Sequence, residues 1–162
     1  MAVHHQLIER PPSDVWAVLA EPRLYGEWVV GPSASRPQDE IWPQNGARIA
    51  YTVRFGPWTG SGTTTVRAVE PLKTLELEAD SGRLGTARIA IELKSWGAHT
   101  LVVLDEHPLR GTGATLHNTA LDALLQLRHR KMLTRLSELV ERQYGSRAGS
   151  NARTGTADPA AL

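Results

Sequence analysis

Two titratable side chains occupy positions from which they could transfer protons. Glu106 ends the stretch "TLVVLDE", in which Val102 and Leu104 precede it at intervals of two, so the three share one face of a predicted strand. Both faces of this strand are mixed, and the pattern leaves open which one points inward. If the face of Glu106 is the inner one, we expect desolvation to raise the pKa of its carboxyl group toward values useful in acid–base catalysis. The alternative is a surface carboxylate that reaches water or pairs with an arginine.

His129 lies on the apolar flank of a predicted C-terminal helix and is the second catalytic candidate, as an acid, a base or a hydrogen-bond donor. A histidine bonded to a backbone carbonyl is the plainer alternative. The six histidines are scattered without metal-ligand spacing, and the chain has no cysteine. We therefore predict neither a metal site nor a cofactor.

Aromatic and aliphatic residues supply candidate ligand contacts. Tyr25 and Trp28 lie close together in "EPRLYGEWVVG", where they either close the end of an ordinary core or line the mouth of a pocket. Tyr51 alternates with apolar neighbours and is predicted to face inward, so its hydroxyl group needs a partner. The predicted ligand-binding set is completed by inward-facing residues of the strands and the long helix: Val53, Phe55, Leu75, Leu77, Ile89, Ile91 and Met132.

The elements that must position these residues follow from hydrophobic periodicity. Residues 3–9 form a predicted strand, and prolines mark the starts of two short helices, the first with Ser13 or its neighbour as N-cap. From about residue 35 to 107 the period is two, as in "RIAYTVRF", and turn residues divide this region into about six strands. Since no helical pattern intervenes, antiparallel pairing is expected. A helix of about 25 residues follows, with an apolar stripe centred on Leu125.

This order of elements resembles the helix-grip fold of the START/Bet v 1-like (SRPBCC) superfamily. The stretches "ERPPSDVWAVLAEPRLYGEWVVG", "VRAVEPLKTLELEA" and "GAHTLVVLDEHPLRG" are similar to its N-terminal signature, its central strand–proline–strand passage and its last strand. Small bacterial polyketide cyclase/dehydrase-like proteins are the nearest relatives by this resemblance. It implies an α+β fold in which a curved antiparallel sheet of about six to seven strands wraps around the long C-terminal helix, with an internal cavity between them.

The resemblance divides the chain into a single helix-grip domain over residues 1–144 and a tail over 145–162. The tail is rich in Gly, Ser, Thr and Ala, and we predict that it is flexible because it has few large apolar residues to bury. Deletion of residues 146–162 should therefore leave the melting temperature nearly unchanged.

Composition narrows the class of partner. The 162 residues carry 18 basic and 17 acidic side chains without blocks, which disfavours nucleic acid, and no apolar run is long enough for a membrane span. The N-terminus lacks the pattern of a secretory signal, so a cytoplasmic monomer or homodimer is expected.

Three functions remain open from the sequence. The first is a cofactor-independent polyketide cyclase/dehydrase-like enzyme acting on an aromatic or polycyclic substrate. The second is a carrier or sensor of a small hydrophobic molecule. The third is an interaction module resembling a chaperone cofactor, which the charged outward residues of the predicted strands disfavour.

Overall fold

The computed structural model describes residues 2–82, 85–110 and 119–151. The first half begins with a strand and two short helices, and a long helix ends the described chain. In order, the elements are β1 (Ala2–Ile8), α1 (Pro12–Leu19), a 3₁₀ turn (Pro22–Leu24), α2 (Tyr25–Trp28), β2 (Pro32–Pro37), β3 (Arg48–Phe55), β4 (Trp58–Glu70), β5 (Thr74–Asp80), β6 (Thr86–Trp96), β7 (His99–Arg110) and α3 (Thr119–Asn151).

The seven strands form one antiparallel sheet in the order β1-β7-β6-β5-β4-β3-β2. Strands β2 to β7 follow one another as a meander, and β1 joins the far edge beside β7. Register shifts with an extra residue in β2, β4 and β7 add to the bend of the sheet. The curved sheet and the C-terminal helix packed against it confirm the predicted helix-grip fold.

The core lies between the inner face of the sheet and the helices. Residues alternate between buried and partly exposed along β5, β6 and β7, as the period of two predicts. Helix α3 contributes an apolar stripe spaced by three and four residues, which agrees with the predicted wheel over its described side chains: Met132, Leu133, Leu136, Leu139 and Val140. Among the described residues, no helix has the length and apolar character needed to cross a lipid bilayer.

Two local expectations differ from the structure. Helix α1 begins at Pro12 with Pro11 as its N-cap, and no side chain caps it, so Ser13 lies inside the first turn. Proline is accommodated there because the first turn has no intrahelical acceptors for its N–H groups. Helix α3 continues through residues 145–151, the first part of the predicted tail, because a single exposed glycine such as Gly145 costs a helix only about 1 kcal/mol. Residues 152–162 lie outside the described residues.

We predict that Leu136→Ala lowers the free energy of unfolding by about 2–5 kcal/mol, because Leu136 is fully buried against the sheet and truncation leaves a cavity. Urea unfolding followed by circular dichroism measures this difference. Leu127→Ala is the matched control on the same helix, since Leu127 is 63% exposed and should change stability by less than about 0.5 kcal/mol. Equal effects of the two substitutions would contradict the packing of α3 described above.

Candidate functional site

The candidate site is centred on Glu106, near the end of β7. Glu106 shares the buried face of this strand with Thr100, Val102 and Leu104, which settles the orientation that the sequence left open. Its strand neighbours are Ile89 in β6 and Ala2 in β1. The side chain of Glu106 is only 4% exposed, so a carboxyl group lies on an otherwise mainly apolar inner wall.

Two consecutive residues of α3 bind this carboxylate, one on each oxygen. Arg128 Nη1 donates to Glu106 Oε1 at 2.5 Å, and His129 Nε2 lies 2.5 Å from Glu106 Oε2. Arg128 also donates from Nε to the backbone carbonyl of Val30 at 2.8 Å. The structure thus brings together the two catalytic candidates of the sequence, which are 23 residues apart in the chain, and adds a guanidinium group to them.

The pKa of Glu106 moves in the direction opposite to the expectation from desolvation alone. Burial by itself raises the pKa of this carboxyl group, but the hydrogen bond from His129 and the positive charge of Arg128 together outweigh it and hold the pKa below its ordinary value. Glu106 is therefore ionised at neutral pH, so the expected raised pKa is wrong, and the alternative of a pair with an arginine is the one observed. The sequence pattern of β7 contains no information on the partners that α3 brings.

Several buried polar atoms near this cluster have no hydrogen-bond partner among the described residues. They include Nδ1 of His129 and Nε1 of Trp28. The ring of His129 also contacts His4 of β1, at 5.3 Å between centroids, and His4 Nε2 is likewise without a partner. Burial, followed by the charges of His129, Arg130 and His5, lowers the pKa of His4. Unpartnered polar atoms in an interior cost free energy, so they are the positions where a ligand or a water molecule gains most.

Tyr25 and Trp28 are both 2% exposed, so neither forms an exposed rim. Their rings meet edge to face with centroids 5.7 Å apart, and Tyr25 makes a similar contact with Trp42 at 6.0 Å. The Tyr25 hydroxyl shares a 2.6 Å hydrogen bond with Thr64 on β4, and burial raises the pKa of the Tyr25 phenol. Trp42 donates to the carbonyl of Leu19 and so ties this aromatic group to the end of α1.

The remaining residues of the predicted ligand-binding set fall into three groups. Tyr51 is buried, its hydroxyl is paired with Ser81 at 2.6 Å, and burial raises the pKa of its phenol. Val53 is half-buried, and the Phe55 side chain lies outside the described residues. The others are at most 2% exposed and belong to the same hydrophobic core: Leu75, Leu77, Ile89, Ile91 and Met132.

A separate open groove of about 560 Å³ crosses β2, β3 and β4. It is bordered mainly by small and hydroxyl-bearing residues such as Ala50, Thr52 and Thr63, which alternate along their strands with the buried residues. Tyr51 is the one member of the predicted ligand-binding set that borders it. Glu106, Arg128 and His129 do not border this groove.

Sequence reasoning missed Arg128 and Thr64. Arg128 lies between Leu125 and Met132 at helical spacing, so a cation within the apolar stripe was a readable signal of a buried partner. Thr64 precedes Val66 by two residues on β4 and both are fully buried, but a threonine in a strand is too common to single out.

We predict that Glu106→Gln destabilises the protein by about 1–3 kcal/mol at pH 7, because the buried hydrogen bonds lose their ionised acceptor. Since the folded-state pKa of Glu106 lies below its ordinary value, its ionisation stabilises the fold above that ordinary value. This contribution is lost as the pH falls through the folded-state pKa. The difference in unfolding free energy between wild type and variant, measured with urea from pH 7 to pH 3, should therefore shrink on acidification. A difference that stays constant over this range would contradict the lowered pKa.

Comparison with solved structures identifies the same fold in distant proteins. Protein MLL2253 from Mesorhizobium loti is 20% identical, with a TM-score of 0.66 over 87% of this chain and 96% of that chain. Ara h 8.0201 is 8% identical, with a TM-score of 0.67 over 86% and 95% of the two chains. DynU16, a protein of the dynemicin biosynthetic locus, is 18% identical, with a TM-score of 0.64 over 86% of this chain and 46% of that chain.

These identities establish the fold alone. No sequence among the curated proteins matches this chain. A family model described as "Activator of Hsp90 ATPase homolog 1-like protein" matches residues 9–141, which include α1, α2, β2 to β7 and both partners of Glu106. The chain therefore belongs to the Activator of Hsp90 ATPase homolog 1-like family, within the START/Bet v 1-like superfamily that the sequence resembles.

Proposed function

We propose that this protein binds a small, mainly apolar molecule between the inner face of its sheet and α3. The observation that carries the proposal is the set of buried Glu106, buried His129 and partly buried Arg128 on an otherwise mainly apolar wall. Two charged groups and an imidazole stand where aliphatic side chains would suffice for packing.

The energetics of this set favour a functional role over a structural one. Taking an ion pair out of water has a desolvation cost that its own attraction only partly offsets, and apolar residues of similar size often stabilise a fold as well or better. The charges of Glu106 and Arg128 balance each other, and Arg128 is 27% exposed whereas Glu106 is 4% exposed. A polar anchor at one end of an apolar space is the usual arrangement of a small-molecule site.

The apolar part of the proposed site consists of the inward residues of β5 and β6 together with Met132 and the aromatic group of Tyr25 and Trp28. Such walls accept aromatic or polycyclic molecules because contact area, not directional bonding, supplies the affinity. The structural relative DynU16 belongs to a biosynthetic locus, which is consistent with a ligand of natural-product type.

The outer face of the sheet favours ligand binding over a chaperone-directed function, despite the description of the family. Ion pairs cover this face along the central strands: Arg67 with Glu78, Arg88 with Glu76 and Lys94 with Glu92. A chaperone-cofactor-like interaction would be favoured by a contiguous apolar patch there.

Cytoplasmic location and the choice between monomer and homodimer stay predictions from the sequence.

The proposed binding is tested with N-phenyl-1-naphthylamine, a neutral probe whose fluorescence rises in apolar surroundings. We expect saturable binding with one probe per chain. Ile91→Phe should weaken it by about tenfold, because the larger ring occupies space at the inner wall where Ile91 is 2% exposed. Val3→Phe is the matched control, since Val3 is 44% exposed on the outer face of β1. Absence of saturable binding, or equal effects of the two variants with their folds intact, would contradict the proposal.

A second candidate function, cofactor-independent cyclase/dehydrase-like catalysis, is favoured by the contact between Glu106 and His129. An imidazole that donates from Nε2 to a carboxylate is a suitable general base, because this bond orients the ring and leaves Nδ1 to take a proton. Aldol condensation and dehydration of a polyketone need such proton transfers. In this scheme His129 moves the proton and Glu106 orients the ring.

This candidate is tested with 5-nitrobenzisoxazole, a small aromatic compound that opens when a base removes one proton from carbon. We expect catalysed opening, seen as absorbance of the phenolate product, that falls by about 100-fold in His129→Gln because the base is absent. His5→Gln is the control, since His5 is exposed on the opposite side of the sheet. A rate that is unchanged in His129→Gln would exclude His129 as an accessible base.

A further inference from the structure

The hydrogen-bonding pattern around Glu106 fixes which nitrogen of His129 carries a proton. Glu106 Oε1 accepts from Arg128, and Oε2 lies 2.5 Å from His129 Nε2. An ionised carboxylate has no hydrogen to donate, so a bond at this distance requires the hydrogen on Nε2. His129 Nε2 is therefore the donor.

The charges around His129 decide the state of its other nitrogen. The negative charge of Glu106 is already balanced by Arg128, so a second proton on His129 would place an uncompensated positive charge on a side chain that is 1% exposed. The other described contact of the ring, with His4, adds no negative charge. A neutral ring with its hydrogen on Nε2 carries its lone pair on Nδ1.

Nδ1 of His129 is thus a buried hydrogen-bond acceptor without a donor among the described residues. We propose that the ligand of this site carries a hydroxyl or N–H group that donates a hydrogen bond to Nδ1 of His129. The inference rests on the proposed function and narrows its ligand class to apolar molecules with a donor at one end, such as phenols, enols and naphthols. An apolar molecule that carries only ether oxygens leaves the acceptor unsatisfied and binds less tightly.

Two probes of nearly equal shape test the inference, 2-naphthol and 2-methoxynaphthalene. The wild-type protein should bind 2-naphthol about five- to tenfold more tightly, as expected for one buried hydrogen bond, although the methyl ether is the more apolar compound. Affinities are measured by quenching of tryptophan fluorescence and confirmed by calorimetry. Equal affinities, or a preference for the ether, would overturn the inference and leave the proposed function standing. If neither probe binds, the proposed function fails and the inference fails with it.

His129→Gln separates the role of Nδ1 from the structural contact with Glu106. The amide of glutamine reaches the position of Nε2 and still donates to the carboxylate, but it has no atom in place of Nδ1. We expect this variant to stay folded and to bind both probes with similar affinities. His5→Gln is the control and should keep the preference for 2-naphthol. A preference retained in His129→Gln would assign the ligand hydroxyl to another acceptor and overturn the inference.

The tautomer is also measured directly, without any ligand. Long-range ¹⁵N–¹H correlation spectra of histidine-labelled protein at pH 7 distinguish the two neutral tautomers from the imidazolium ion. We expect the His129 ring to be neutral with its hydrogen on Nε2, and the His129→Gln spectrum assigns its signals. A hydrogen on Nδ1 in the free protein would make this atom a donor and overturn the inference independently of the binding data.

Discussion

The burial of Glu106 is the constraint on which the rest of this structure depends. An ionised carboxylate on the inner face of the sheet requires compensation, and the chain places both partners on the facing helix, at Arg128 and His129. Arg128 also holds the carbonyl of Val30, just after α2, so the same side chain joins the helix, the sheet and the segment between α2 and β2. The position of α3 against β7 is therefore tied to this compensation.

Most of the fold was predictable from local patterns. The period of two in β3, β5 and β6 and the apolar stripe of α3 indicate which face of each element is buried. The prolines at the starts of α1 and the 3₁₀ turn indicate where these two elements begin. The end of α3 was less predictable, because after Tyr144 the high helix propensity of Ala and Arg is opposed by the low propensity of Gly, and no apolar stripe decides between them.

The candidate site was predictable only in part. Glu106 and His129 could each be singled out by polarity on an apolar face, but their contact joins residues from distant parts of the sequence, and periodicity carries no information on such pairs. The pKa of Glu106 was predicted in the wrong direction for this reason: the expectation considered only the apolar neighbours of Glu106 in β7, whereas its pairing with Arg128 and His129 depends on how α3 lies against the sheet. The same limit applies to Tyr25, whose contacts with Trp42 and Thr64 join residues that are far apart in the sequence.

The adjacency of Arg128 and His129 in α3 has a geometric consequence for the helix as a whole. Consecutive residues of a helix point about 100° apart around its axis, so a carboxylate can bind both only when it faces the angle between them. A stripe of similar aliphatic side chains tolerates small rotations of a helix, since one leucine can replace another against the same wall. The forked contact does not, because turning α3 in either direction withdraws one donor from Glu106. The two contacts with Glu106 therefore fix the rotation of α3 about its own axis, which the apolar packing alone would leave less well defined.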